Sequence, residues 1–133
     1  MTDEHGLGDH LGPALDRILG DLTAVPLPRV EPSHWQDWTG AESAVLWGSD
    51  GSSTGVWLDS TLAPAEQVVM LAEQVQEWVF EALCTARRPT NWPRCPAHPD
   101  NHPMAPRLTD GAPTWCCPIS GHAVAEIGRL GSR

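Results

Sequence analysis

The chain contains no lysine. That excludes a Schiff-base lysine, and it leaves no lysine for a P-loop. The Gly/Ser stretch Gly48-Ser49-Asp50-Gly51-Ser52-Ser53 is therefore not read as a phosphate cradle. Basic residues are scarce altogether: eight arginines stand against seventeen acids in 133 residues, for a net charge of −9. Such a balance argues against wrapping nucleic acid and against adhesion to an anionic membrane. Long apolar runs are missing as well, and none approaches the roughly 20 residues that span a bilayer. Met1 to Gly8 has neither a basic n-region nor an apolar h-region, so no signal peptide is expected and the expected location is cytoplasmic. Thiols stay reduced there, so the four cysteines read as metal ligands or core before disulfides.

What is present is one domain's worth of chain, with an apolar fraction of 41% that makes a modest core. Thirteen prolines and twelve glycines place much of the backbone in turns and extended segments. A metal that cross-links such a segment compensates for a thin core. Charge divides unevenly. Residues 1–86 carry fourteen acids and two bases, Arg17 and Arg29, for −12. Residues 87–133 carry six arginines and three acids, for +3. Mutual attraction between an acidic body and a mildly basic tail is the plain reading of that asymmetry.

Apolar residues at Leu11, Leu15, Ile18, Leu19 and Leu22 step by three and four, which predicts a short amphipathic helix from Asp9, ended by Pro26 and Pro28. Residues 26–42 read as a loop in which Trp35 and Trp38 fold back as a lid on the core. Ser43–Leu46 and Val56–Leu58, each beside a tryptophan, predict a β-hairpin across the Gly/Ser turn. The strongest element is a helix from about Leu62 to Thr85. Pro64 suits its first turn, and Val68, Leu71, Val75, Trp78, Val79 and Leu83 form its apolar stripe. Cys84, in its last turn, reads as a buried thiol. Arg87 and Arg88 complement the helix end, and Pro89 stops it. Residues 89–118 then hold eight prolines and show no periodicity until about Ala112. Such a segment stays disordered unless something ties it down.

Six potential metal ligands fall within residues 95–122: Cys95, His98, His102, Cys116, Cys117 and His122. Zinc takes four, tetrahedrally, at about 2.0–2.3 Å. Cys95-Pro-Ala-His98 is a knuckle short enough for both side chains to reach one ion. Cys95, His98, His102 and Cys117 are each followed by proline, which pushes them into extended backbone and lowers the entropy lost on binding. If Pro113–Cys117 is a strand, Trp115 and Cys117 share a face and Cys116 points the other way. Trp115 would then cover Cys117. Pro118-Ile119-Ser120-Gly121 reads as a turn and His122–Ile127 as a return strand. Substitution of Cys116 or His122 for one of the four stays open at this level.

The pattern Trp92-Pro93-Arg94-Cys95-Pro96-Ala97-His98-Pro99, then His102-Pro103, Trp115-Cys116-Cys117-Pro118 and Ile127-Gly128-Arg129-Leu130, resembles a set of small uncharacterised bacterial proteins. Their shared ending runs W-P-x-C-P-x-H-P…H-P…W-x-C-P…I-G-x-L. The resemblance covers roughly residues 90–130. It implies that Cys95, His98, His102 and Cys117 occupy shared positions and that Cys116 and His122 do not. It implies no activity.

Four protein ligands close the coordination sphere, which favours a structural over a catalytic ion. His98 and His102 have the spacing of a metalloprotease helix, but Pro99 stands where its glutamate belongs, and the deaminase signature is absent. The expected architecture is α+β. Residues 1–88 form an acidic body of two main helices and a Trp-bearing hairpin. Residues 89–133 form a proline-rich, zinc-ribbon-like module with a terminal hairpin, packed as one unit with the body. The expected function is a zinc-stabilised interaction or adaptor module with another protein as partner and no catalysis of its own. A zinc-dependent hydrolase with an open coordination position is the alternative, and nucleic-acid contact through the arginine-rich tail a second.

Overall fold

The computed structural model describes residues 7–33 and 41–132. They form an α+β mix of two helices and two antiparallel three-stranded sheets. Trp35 and Trp38, with the lid expected of them, lie outside the described residues.

Helix α1 spans Leu11–Leu19 and buries Leu11, Ala14, Leu15 and Ile18. It stops at Gly20, ahead of the prolines expected to end it, and Leu22 is buried just beyond it. Its first amides are satisfied from a distance. The Glu42 carboxylate accepts from the N–H groups of His10 and Leu11, at 3.1 and 2.9 Å, where an anion also suits the helix dipole. The first sheet has the order β1(Arg29–Pro32)-β2(Ala41–Trp47)-β3(Ser53–Asp59). The predicted hairpin is β2–β3, longer at both ends. Strand β1 corrects the loop expected over residues 26–42: Val30 and Glu31 pair with Leu46 and Val45. A proline-flanked four-residue strand shows too little alternation to be read from sequence.

Helix α2 spans Pro64–Thr85 and buries the whole expected stripe from Val68 to Leu83. Proline at its first position suits a site whose N–H has no helical partner. Two polar side chains on the buried side, Gln67 and Gln76, are also enclosed. Cys84 is exposed, not buried, because its position turns away from the stripe.

The second sheet has the order β4(Ala105–Thr109)-β5(Ala112–Cys116)-β6(Ala123–Glu126). Strand β4 again corrects an expectation of irregular chain. Its link to β5 is Asp110-Gly111, both with positive φ (51° and 80°) and with Thr109 paired to Ala112. That is a two-residue hairpin turn of the kind Asp-Gly specifies.

One apolar cluster joins α1, β2, β3 and α2 to Trp92, Cys95, Met104, Trp115, Cys117 and Ile127. At its centre the buried carboxylate of Asp21 takes three hydrogen bonds. They come from Trp115 Nε1 (2.8 Å), the Gly128 amide (2.5 Å) and the Leu130 amide (3.0 Å). The Asp21 carbonyl accepts from Trp92 Nε1 at 3.3 Å. The two tryptophans meet edge to face, with centroids 5.4 Å apart. Gly128 has φ +98°, and an added Cβ would lie 2.5 Å from Arg17 Cγ. Only glycine fits that backbone and that gap.

An ion pair across the halves joins Arg17 to Glu126 at 3.5 Å, with base and acid opposite to the overall charge asymmetry, and Arg88 Nη1 of the tail donates to the Ala24 carbonyl at 2.8 Å. Hydrogen bonds to Asp21 join the halves as well. Replacing Asp21 by Ala strands a buried indole N–H and two half-buried amides, and an orphaned buried donor costs about 1–3 kcal/mol. Urea denaturation should show a loss of roughly 3 kcal/mol or more. A loss under about 1 kcal/mol would remove Asp21 from this role.

Candidate metal centre

The loop from Trp92 to Met104 is closed by groups at its base. Arg94 bridges to Pro103, and the Met104 amide donates to the Pro93 carbonyl at 2.7 Å. From α2, Gln76 Nε2 donates to the Trp92 and Met104 carbonyls at 3.1 and 2.6 Å. Both ends of the loop thus hang on one buried amide. Inside it, the His98 amide donates to the Cys95 carbonyl and the Asn101 amide to the His98 carbonyl, at 3.0 and 3.1 Å. Asn91 Nδ2 holds the Pro99 carbonyl at 2.6 Å. These turns bring Cys95, His98 and His102 to one side.

Cys117 arrives from the loop between β5 and β6. Its amide donates to the His122 carbonyl (2.9 Å), its carbonyl accepts from the Gly121 amide (2.8 Å), and Gly121 has φ +77°. The Ser120 amide donates to Cys117 Sγ at 3.5 Å. The Cys117 thiol is lowered from 9.0 to about 6, chiefly by the side-chain hydrogen bond from Ser120 and then by the Ser120 amide. A lowered thiol supplies the thiolate that metals bind.

Donor atoms of Cys95, His98, His102 and Cys117 lie within 4.8 Å of one another. Both cysteines are buried and both histidines half-buried. His98 Nδ1 stands 3.6 Å from Cys95 Sγ and 3.7 Å from Cys117 Sγ. In a tetrahedral zinc site a thiolate and an imidazole nitrogen are separated by about 3.5 Å, given bonds of roughly 2.3 and 2.0 Å. One imidazole nitrogen has one in-plane lone pair and cannot accept well from two thiols at once. Two sulfurs equally spaced around it fit a shared ion better than a pair of S–H bonds.

His102 supplies the second test of fit. Its Nδ1 lies 3.1 Å from the Pro103 carbonyl, and its Nε2 is buried with no hydrogen-bond partner. A carbonyl can only accept, so Nδ1 carries the proton and Nε2 presents a bare lone pair. This is how an outer carbonyl orients a metal-binding imidazole. The residues therefore fit a metal ion, with His98 offering Nδ1 and His102 offering Nε2.

The two spare candidates stand apart from the cluster. Cys116 is buried on the far side of β5, with Sγ 3.1 Å from Thr114 Oγ1 and 3.5 Å from Thr109 Oγ1. That follows from strand alternation. Trp115 is fully buried in the same cluster as Cys117, its ring edge to face with Trp92 and its Nε1 bonded to Asp21. His122 is exposed and lies outside the four. Sequence reading missed Gln76 and Asp21, which hold the loop and the tryptophans. A polar residue beside Val75 and Val79 on an apolar helix stripe was the available signal for Gln76.

Cys117→Ser should lose bound metal and several kcal/mol of stability, since metal binding is folding energy for this segment. Cys116→Ser should keep both, because its neighbours are hydroxyls. Metal content after gel filtration and urea midpoints compare the two, and equal losses would overturn the ligand set. In metal-free protein the low Cys117 value has a definite sign. The folded value near 6 lies below 9.0, so the stabilisation is complete above about pH 9 and is lost as pH falls through 6. The Cβ resonance of Cys117 followed by NMR should titrate near pH 6, and a midpoint near 9 would contradict the Ser120 effect.

No protein-family model matches this chain, and no curated protein or solved structure shows significant similarity to it.

Proposed function

We propose that Cys95, His98, His102 and Cys117 hold one structural zinc ion, and that the protein is a small zinc-stabilised interaction or adaptor module with another protein as partner. The buried, partnerless Nε2 of His102 carries this reading. A buried imidazole lone pair with nothing to accept is costly, and a cation held against it would remove that cost. Two sulfurs with two imidazole nitrogens are a donor set typical of zinc. Ligands from a loop before β4 and from the β5–β6 turn support a zinc-ribbon-like description of residues 89–133. The same disposition supports a fastening role. An ion there ties the proline-rich loop to the turn after β5, and bound zinc supplies folding energy rather than a reacting centre.

The hydrolase alternative draws on one observation, a cleft of about 430 Å³ lined by Cys95, Cys117 and His122 beside the cluster. Against it stand four protein donors already converging and no carboxylate among the described members of the cluster.

Purified protein should carry one zinc per chain, with two sulfur and two nitrogen neighbours by X-ray absorption. An oxygen in the first shell would favour the hydrolase. Chelation should raise amide exchange and protease cleavage in residues 90–130 before the rest of the chain. An unchanged pattern would show that the ion does not fasten this segment.

A further inference from the structure

The four donors are not equally placed relative to solvent. The cleft of about 430 Å³ is lined by Cys95, Pro96, Ala97, Cys117, Ser120 and His122, with Val124 behind. Neither His98 nor His102 lines it. The site thus presents its sulfur side outward, although both cysteines are almost wholly covered, at 1% and 2% exposure. On the rim of that cleft stands His122, whose side chain is exposed and whose ring makes no hydrogen bond among the described residues. Its backbone is not free to drift. The His122 carbonyl accepts the Cys117 amide at 2.9 Å, and the His122 amide donates to Ser120 Oγ at 3.2 Å. The turn that delivers Cys117 to the cluster therefore also delivers an unengaged imidazole to the mouth of the same cleft.

We infer that His122 is a transit ligand for the metal: it takes an ion from solvent and passes it to the two thiolates, and it meets a departing ion in reverse. The inference rests on the zinc reading above. Zinc has no ligand-field preference for four ligands and readily accepts a fifth, so exchange proceeds most easily where an added donor can enter before another leaves. A buried Cys₂His₂ site offers no such donor of its own. Here the added donor is an imidazole, a good zinc ligand, on the side where the thiolates are reached. A transit ligand lowers the barrier without contacting the metal at rest, so it must change loading and release alike and leave affinity untouched.

The experiment uses the full chain loaded with zinc. Release is followed by transfer to excess 4-(2-pyridylazo)resorcinol in stopped flow, and loading by adding zinc sulfate to the metal-free chain. His122→Ala should slow both by about tenfold, a barrier change of about 1.4 kcal/mol. The zinc affinity and the urea midpoint should match the unaltered protein. Free imidazole added at millimolar concentration should restore the rate in His122→Ala and change the unaltered protein little. Unchanged rates in His122→Ala would overturn the inference. So would faster release with loading unchanged, since that places His122 among the resident ligands. Absence of zinc binding by the unaltered chain would instead defeat the reading on which the inference rests.

Discussion

Proline has no N–H to donate, and residues 89–104, the stretch ahead of β4, contain five prolines. A stretch so composed makes few backbone pairs of its own, and much of what holds it must come from elsewhere. The structure shows where from. Gln76 on α2 donates to the two ends of the loop, Asn91 to its tip, and the Asp21 carbonyl accepts the indole of Trp92. The Gln76 bonds reach in from an ordered helix, while Asn91 and Trp92 tie the loop's own side chains to backbone carbonyls, and these add to the few backbone pairs within the loop. The four clustered donors would be the same device in a stronger form, because a single ion held there would satisfy four groups at once.

That constraint explains which parts of the molecule were legible in sequence. Ligand chemistry is local: the residue types, the Cys-x2-His spacing and the prolines that follow each ligand all lie in a short stretch, and alternation along one strand separates Cys117 from Cys116. Helix α2 was legible for a similar reason, since its stripe from Val68 to Leu83 repeats over about four turns. The two missed strands are the opposite case. β1 and β4 each contain a proline and each exist because a neighbour pairs with them, so their own residues hold little strand signal. Asp110-Gly111 was the one local mark of the second hairpin, and it reads as an ordinary turn until the flanking residues are paired.

Gln76, Asp21 and Glu42 belong to a third class. Each is a polar residue whose role is set by groups far along the chain: Gln76 by Met104, 28 residues on, Asp21 by Leu130, 109 residues on, and Glu42 by Leu11, 31 residues back. No spacing rule reaches that far. Cys84 fails in the other direction. Thiols are usually buried, and its neighbours Leu83 and Val79 are, but one step around the helix carries it from the packed side to the surface. Composition predicts what a residue prefers, and register decides what it gets.

The dry histidine settles how these layers depend on one another. With no cation present, His102 Nε2 is left buried and unsatisfied at a cost of about 1–3 kcal/mol, and nothing else among the described residues can donate to it. The segment can escape that cost by opening, and its own hydrogen bonds oppose opening only weakly. Gln76 and the Arg94–Pro103 bridge would resist at the buried base of the loop, whereas the tip is held by exposed bonds, Asn91 to Pro99 and Asn101 to His98, that water can replace. Opening should therefore begin at the ligands and stop at the loop's base, leaving the tryptophan pair and Asp21 in place. Under the zinc reading proposed above, the body would fold without the ion and the loop would depend on it to stay shut.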